Sequence, residues 1–198
     1  MYKRQRLGNP TVGALEARLT ALEEGAMCVA LSSGTSAVMY SLINIMSQGD
    51  NFVTANQLYG GTYTMFDNIL PEYGINSKKV DITDLEAVEA AIDEKTRAIY
   101  CETITNPGLV VADISALADI AHSKGIPLIV DATFTTSAIL KPFEYGADIV
   151  VYSLTKWMSG HGRVIAGAVI EKGGFDWGNG NLPLDDKPDT SYGGCLLY

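Results

Sequence analysis

The chain has 198 residues, of which 47% are hydrophobic and 19% charged, and a formal net charge of −9. That balance belongs to a globular domain and excludes a disordered chain. The acidic sign excludes a broad nucleic-acid or anionic-membrane surface, since both need basic patches, but leaves room for a single phosphate held by local donors.

In chain order, Met27–Leu31 reads as a strand, and Thr35–Met46 as a helix after the Ser-Ser-Gly turn. Asn51–Ala55 is a short strand. Gly61–Leu70 reads as a helix ending before Pro71. Ile75–Val80 is a strand, and Leu85–Ile92 a helix with Asp84 at its start, where a carboxylate suits the exposed N–H groups. Ala98–Glu102 is a strand. Ile114–His122 is a helix opening after Asp113 and closing at Gly125. Ile126–Val130, Asp148–Tyr152 and Val164–Ile170 complete the strands. From Gly173 the sequence GGFDWGNGNLPLDDKPDTSYGG, rich in Gly, Pro, Asn and Asp, reads as a loop.

Strands that are apolar throughout and separated by helices predict an α/β fold, a mostly parallel sheet sandwiched by helices. In such sheets ligands bind beyond the carboxyl ends of the strands. Ser32-Ser33-Gly34, Glu102–Asn106, Asp131–Thr133 and Ser153–Lys156 all follow strand ends and are expected to converge. The three cysteines, Cys28, Cys101 and Cys195, form no CxxC or Cys/His cluster. They therefore predict neither a zinc site nor a disulfide framework, and a reducing, cytoplasmic setting is expected. No apolar run approaches membrane-spanning length, and no apolar segment follows the basic start MYKRQR, so no secretory signal is expected.

Lys156 ends the stretch DIVVYSLTK. Alone it reads as a surface lysine, but its neighbours change that reading. A lysine amine becomes a nucleophile when a desolvated site favours its neutral form. Ser153 and Thr155 put two hydroxyls on the same turn, where they can cradle a phosphate. SSGTSA, residues 32–37, offers a second donor set at a helix N-terminus, and equally an ordinary cap. Asp131, closing the buried strand IPLIVD, needs a partner: a protonated ring nitrogen, or a loop hydrogen bond. Tyr59 can stack on a flat ring. Together these groups outline pyridoxal phosphate, which needs a Schiff-base lysine and an acidic partner for its pyridine nitrogen.

The chain resembles the pyridoxal-phosphate enzymes of cysteine and methionine metabolism. GNPTVGALEARLTALEEG, SSGTSA, LYGGTY, ETITNP, GIPLIVDATF and GADIVVYSLTKWMSGHG stand in that family's order and spacing across nearly all of residues 6–198. The resemblance implies an aminotransferase type I-like large, cofactor-binding domain. It implies Lys156 as the Schiff-base lysine, Asp131 as the pyridinium partner and Tyr59 as the stacking ring and an aid to proton transfer. It makes Gly34 and Thr35 backbone phosphate donors, Ser153 and Thr155 hydroxyl donors, and Asn106 a neighbour of the cofactor's phenolic oxygen. Arg6 would reach the phosphate of a neighbouring subunit, which implies a homodimer, usually within a homotetramer.

The stretch from Gly173 is similar to the insertion found in O-acetylhomoserine sulfhydrylases. The implied reaction is γ-replacement of acetate by sulfide on an amino-acid substrate, giving homocysteine, with sulfide or a thiol as the second partner. A lyase or synthase of the same family is the alternative, and an inactive cofactor-domain fragment is another. Residues 1–5 fit neither the family nor a natural start, the loop at 173–194 marks a subfamily, and the family's C-terminal small domain is expected to be absent. The sequence departs from the family pattern at Arg4 (usually Tyr), Thr35 (usually Met), Ala132 (commonly Asn) and Arg163 (frequently a small residue). A rival pattern is Ser-x-x-Lys of serine acyl-enzymes, with Ser153 as nucleophile. It needs Lys-Thr-Gly and Ser-Asp-Asn elements, which the chain lacks, and a helix start at the motif. His161 is expected to serve the loop, and His122 to add a favourable charge at a helix end.

Overall fold

In the computed structural model, which describes residues 8–182 and 188, seven strands form one sheet in the order β1-β7-β6-β5-β4-β2-β3. They are β1 (Met27–Leu31), β2 (Asn51–Ala55), β3 (Asn76–Val80), β4 (Thr96–Glu102), β5 (Leu128–Asp131), β6 (Ile149–Ser153) and β7 (Gly167–Glu171). β7 lies antiparallel between β1 and β6, while every other pairing is parallel. The mostly parallel sheet is therefore present, with one reversal that apolar runs cannot show. A parallel return to the sheet needs a covering crossover. Residues 154–166 supply only the short 3₁₀ turn Trp157–Ser159, so the chain folds straight back.

β2 is buried at every position, and β4, β5 and β6 nearly so. β1 differs from its apolar reading. It is an edge strand, and Met27 and Val29 stand exposed on it. The strands predicted from Ile126 and Val164 begin later, at Leu128 and Gly167.

Helix α1 (Pro10–Glu23) was not among the predicted elements. Asn9 caps it by accepting from the N–H groups of Thr11 (2.9 Å) and Val12 (3.4 Å), and Pro10 starts it with a fixed φ and no N–H to satisfy. It buries only Leu19 and Glu23, too sparse a set to give a helical stripe. α2 (Gly34–Ile43) is capped by Ser33, whose hydroxyl accepts from the Ser36 N–H at 3.1 Å. It ends short of the predicted Met46.

α3 (Gly60–Thr64) continues as a π-helical segment, Met65–Ile69, and a 3₁₀ turn, Leu70–Tyr73. The helical path thus passes Pro71 instead of stopping before it. Pro71 sits in the first turn of the 3₁₀ segment, where no N–H partner is required. α4 (Leu85–Ala91) and α5 (Ile114–Ser123) start as expected, with Asp84 and Asp113 accepting from the N–H groups of Ala87 (3.0 Å) and Ala116 (3.1 Å). The unpredicted α6 (Thr136–Ile139) and the 3₁₀ turn Pro142–Tyr145 occupy the β5–β6 link.

Between the sheet and the π-helical segment, Phe52, Phe66 and Tyr100 stack edge to face, with centroids 4.7 and 5.2 Å apart. The described part of the loop after β7 docks at the opposite end of the sheet from the strand C-termini. Asn179 Nδ2 donates to Gly125 O (2.9 Å), Phe175 and Trp177 pack partly buried on the core, and Leu182 is buried. Residues 1–7 and most of 183–198 lie outside the described residues. Among the described residues no helix is long and apolar enough to cross a membrane.

Candidate active site

The parallel direction of β1, β2, β4, β5 and β6 brings their carboxyl ends to one edge. A cavity of about 680 Å³ opens there. Its walls include Gly34, Thr35, Tyr59, Asn106, Asp131, Ser153, Thr155 and Lys156. The residues predicted to converge therefore do so, although they span more than half the chain. Arg6 lies outside the described residues.

Asp131 closes β5 at the cavity floor. Its Oδ1 accepts from the Thr133 N–H at 2.8 Å, and its Oδ2 from the Tyr100 hydroxyl at 3.3 Å. Burial pushes its carboxyl above the usual aspartate range, an effect these two bonds only partly offset. Both sequence readings of Asp131 thus meet in one place: it makes a loop hydrogen bond and pairs with no cation among the described residues. A protonated ring nitrogen would fit that deficit.

Gly34 starts α2 against the end of β6. A Cβ on Gly34 would lie 2.5 Å from Ser153 Cβ and 2.9 Å from Ser153 Oγ. Nearby Gly167, at the start of β7, abuts the Ser33 carbonyl so closely that a Cβ there would collide with it. These two contacts seat the first turn of α2 at the cavity. The N–H groups of that turn have no partner four residues back and carry the positive end of the helix dipole, the chemistry that suits a phosphate. Ser153 is held from behind, its N–H donating to Thr133 Oγ1 at 2.7 Å. The Thr155 hydroxyl donates to Ala166 O (3.2 Å) and accepts from Ala166 N–H (3.1 Å).

Lys156 lies on the turn after β6, ahead of the 3₁₀ turn at Trp157. Its side chain is exposed on the cavity wall, whereas the sequence reading expected a desolvated site. The exposure follows from the surrounding chain, Trp157 and Gly160–Ile165, being open on this side. The helix start that the serine acyl-enzyme pattern requires is absent here. Ser153 closes a strand. Tyr59 is 48% exposed and faces the cavity from the start of α3.

The sequence placed Glu102 and Thr133 at converging strand ends but assigned them no chemical role, and it did not single out Tyr100. Glu102, only 6% exposed, closes β4 directly opposite Asp131. Its Oε1 accepts from the Tyr59 N–H (2.8 Å) and its Oε2 from the Asn106 N–H (3.0 Å). Burial and the nearby Asp131 charge push its carboxyl up to about 7. The signal that could have found it is the one that found Asp131: a carboxylate ending an apolar strand. His161 lines the cavity with Nδ1 3.2 Å from Ser159 O, in keeping with its loop role. His122 does more than add a terminal charge. Its Nε2 lies 2.9 Å from Asp148 Oδ2, which also accepts from the Leu128 N–H at 2.8 Å.

The sequence profile of the family described as Cys/Met metabolism PLP-dependent enzyme matches residues 1–185. The chain is 44% identical over 193 residues to the O-acetyl-L-homoserine sulfhydrylase of Leptospira meyeri, covering 98% of this chain and 44% of that protein. In structure it is similar to the putative O-acetylhomoserine (thiol)-lyase of Campylobacter jejuni, solved with a pyridoxyl-lysine monophosphate. The TM-score is 0.94 at 39% identity, covering 97% of this chain and 48% of the other. It is also similar to the cystathionine gamma-lyase of Lactobacillus plantarum complexed with L-serine, with a TM-score of 0.82 at 41% identity, covering 87% and 45%. The chain spans a little under half the length of these relatives. The fold is the aminotransferase type I-like one of these neighbours. The ordered motifs, the sheet and the converging strand ends agree with the profile: the chain belongs to the Cys/Met metabolism PLP-dependent enzyme family.

Proposed function

We propose that the protein is a pyridoxal-phosphate-dependent transferase that replaces the acetate of O-acetylhomoserine with sulfide, giving homocysteine, or with a thiol, giving the corresponding S-substituted homocysteine. The observation that carries this reading is the meeting of Lys156, Asp131 and the first turn of α2 at one cavity, in a chain similar to sulfhydrylases along nearly all its length. When bound, pyridoxal phosphate supplies an electron sink for the negative charge that develops at the substrate's Cα. Lys156 would hold the cofactor through Nζ and, once freed by the substrate's amine, would move protons at the substrate's Cα and Cβ.

Asp131, steadied by Tyr100 and Thr133, keeps the proton on the ring nitrogen. Tyr59 covers the ring face and assists proton transfer. Gly34, Thr35, Ser153 and Thr155 would bind the phosphate, and Asn106 would neighbour the phenolic oxygen. Arg6 completes the phosphate site of a neighbouring subunit in a homodimer or homotetramer. Exposed apolar side chains beside the cavity, Phe134, Trp157 and Ile165, support such an interface. The free, buried Cys28 and Cys101 support a reducing, cytoplasmic setting.

The test is to supply O-acetylhomoserine with and without sulfide. Homocysteine formed only with sulfide, and lost in Lys156→Ala, supports the proposal. Release of ammonia and a 2-oxo acid without sulfide would instead identify elimination. That second reading is favoured by the likeness to a cystathionine gamma-lyase.

A further inference from the structure

Tyr59 and Asn106 face the cavity from two separate loops, one before α3 and one after β4. Both are exposed, and neither is part of the sheet. Something must hold them at fixed places if they are to flank a flat ligand, because a loop residue left to itself samples many positions. Glu102 bonds to both. It ends β4, in register with Asp131 of β5, and is 6% exposed. One carboxylate oxygen takes the Tyr59 N–H at 2.8 Å and the other takes the Asn106 N–H at 3.0 Å.

We propose that Glu102 is a positioning residue: its buried carboxylate ties the backbones of Tyr59 and Asn106 to the end of β4 and so sets the two sides of the cofactor pocket. The role rests on the reading of this cavity as the pyridoxal-phosphate site. The bonds go to main-chain N–H groups, so the clamp does not depend on what side chains those positions carry. A carboxylate suits the task because both its oxygens accept. Glutamine offers one acceptor and an NH₂ that would face an N–H. The buried oxygens of Glu102 are already committed, and a carboxylate is strongest when bonded by backbone N–H groups at such depth.

The test compares the wild-type chain with Glu102→Gln and Glu102→Asp, the latter keeping the charge with one methylene less reach. Amide hydrogen exchange is read residue by residue without cofactor, and pyridoxal phosphate is then titrated by absorbance and induced dichroism. The expected result is that exchange at Tyr59 or Asn106 speeds at least tenfold in both variants. Exchange at Ile99 and Val130, in the sheet, stays at the wild-type rate. The dichroic band weakens and the cofactor Kd rises at least fivefold. If either variant fails to fold, the other decides.

Wild-type exchange at both loop amides in a folded variant overturns the clamp. So does faster exchange with unchanged cofactor affinity and dichroism. If the wild-type chain itself gives no cofactor band, the cavity reading and the positioning role fall together. The exchange data would still show whether the two loops are tied to Glu102.

Discussion

Glu102 and Asp131 stand side by side in register at the ends of β4 and β5, a buried and a half-buried carboxylate lining one cavity. Burial raises both above their usual ranges, Glu102 to about 7 from 4.5. An acid whose folded-state pKa lies above its unfolded value keeps its proton in the fold between the two. The folded chain therefore binds more protons than the unfolded one across that window, and stability falls as pH rises from about 4.5 to about 7. For Glu102 the loss is on the order of 3 kcal/mol. Urea midpoints of the cofactor-free chain, measured across this range for wild type and Glu102→Gln, should differ by that slope. Parallel curves would show that Glu102 does not hold its proton.

Lys156 is exposed and makes no ion pair among the described residues. Lys156→Ala should therefore leave the thermal midpoint nearly unchanged, within about 0.5 kcal/mol of wild type. The shifted absorbance band produced by pyridoxal phosphate should vanish entirely. A band of wild-type strength in this variant would remove Lys156 from its role.

Gly34→Ala places a methyl group 2.5 Å from Ser153 Cβ, with the backbone of β6 just behind it. Neither side is a flexible tip, so the first turn of α2 must shift. The expected cost is about 1–3 kcal/mol. Cofactor affinity should fall with it, since the same turn carries the proposed phosphate donors. Equilibrium denaturation and a cofactor titration check the two effects together.

The Tyr152 hydroxyl donates to Glu23 Oε1 deep in the core, and Oε2 of that glutamate is buried without a partner. Tyr152→Phe removes the remaining bond and should destabilise the chain by about 1–3 kcal/mol, the penalty for a buried group left unsatisfied. Burial already pushes Glu23 above the usual glutamate range. The loss should therefore be smaller at pH 5 than at pH 8, which denaturation at the two pH values would show.

Phe175 and Trp177 pack against each other with centroids 4.7 Å apart, beside His122 and away from the cavity. Phe175→Ala should cost about 1–2 kcal/mol of stability, as loss of a partly buried aromatic does. Cofactor affinity should stay at the wild-type value. A changed affinity would mean that this loop acts on the site.

Much of this protein could be read from its residues alone. Apolar strands broken by helices gave the α/β class, because a strand buried on both faces has no polar alternation to show. The strand-end rule then selected Asp131, Ser153 and Lys156, because parallel strands must all deliver their carboxyl ends to one edge. The first turn of α2 followed from SSGTSA, a sequence that both caps a helix and bares its N–H groups. The tertiary structure alone decided the antiparallel place of β7, which depends on there being no crossover helix, and the late ends of α2 and α3. It alone paired Glu102 with Tyr59 across 43 positions and Tyr100 with Asp131 across 31. It also left Lys156 exposed and sent the described part of the loop after β7 to the far end of the sheet. Local sequence determines which groups can act. Which of them meet, and how much water they keep, depends on packing between distant segments, and no short stretch of sequence encodes that.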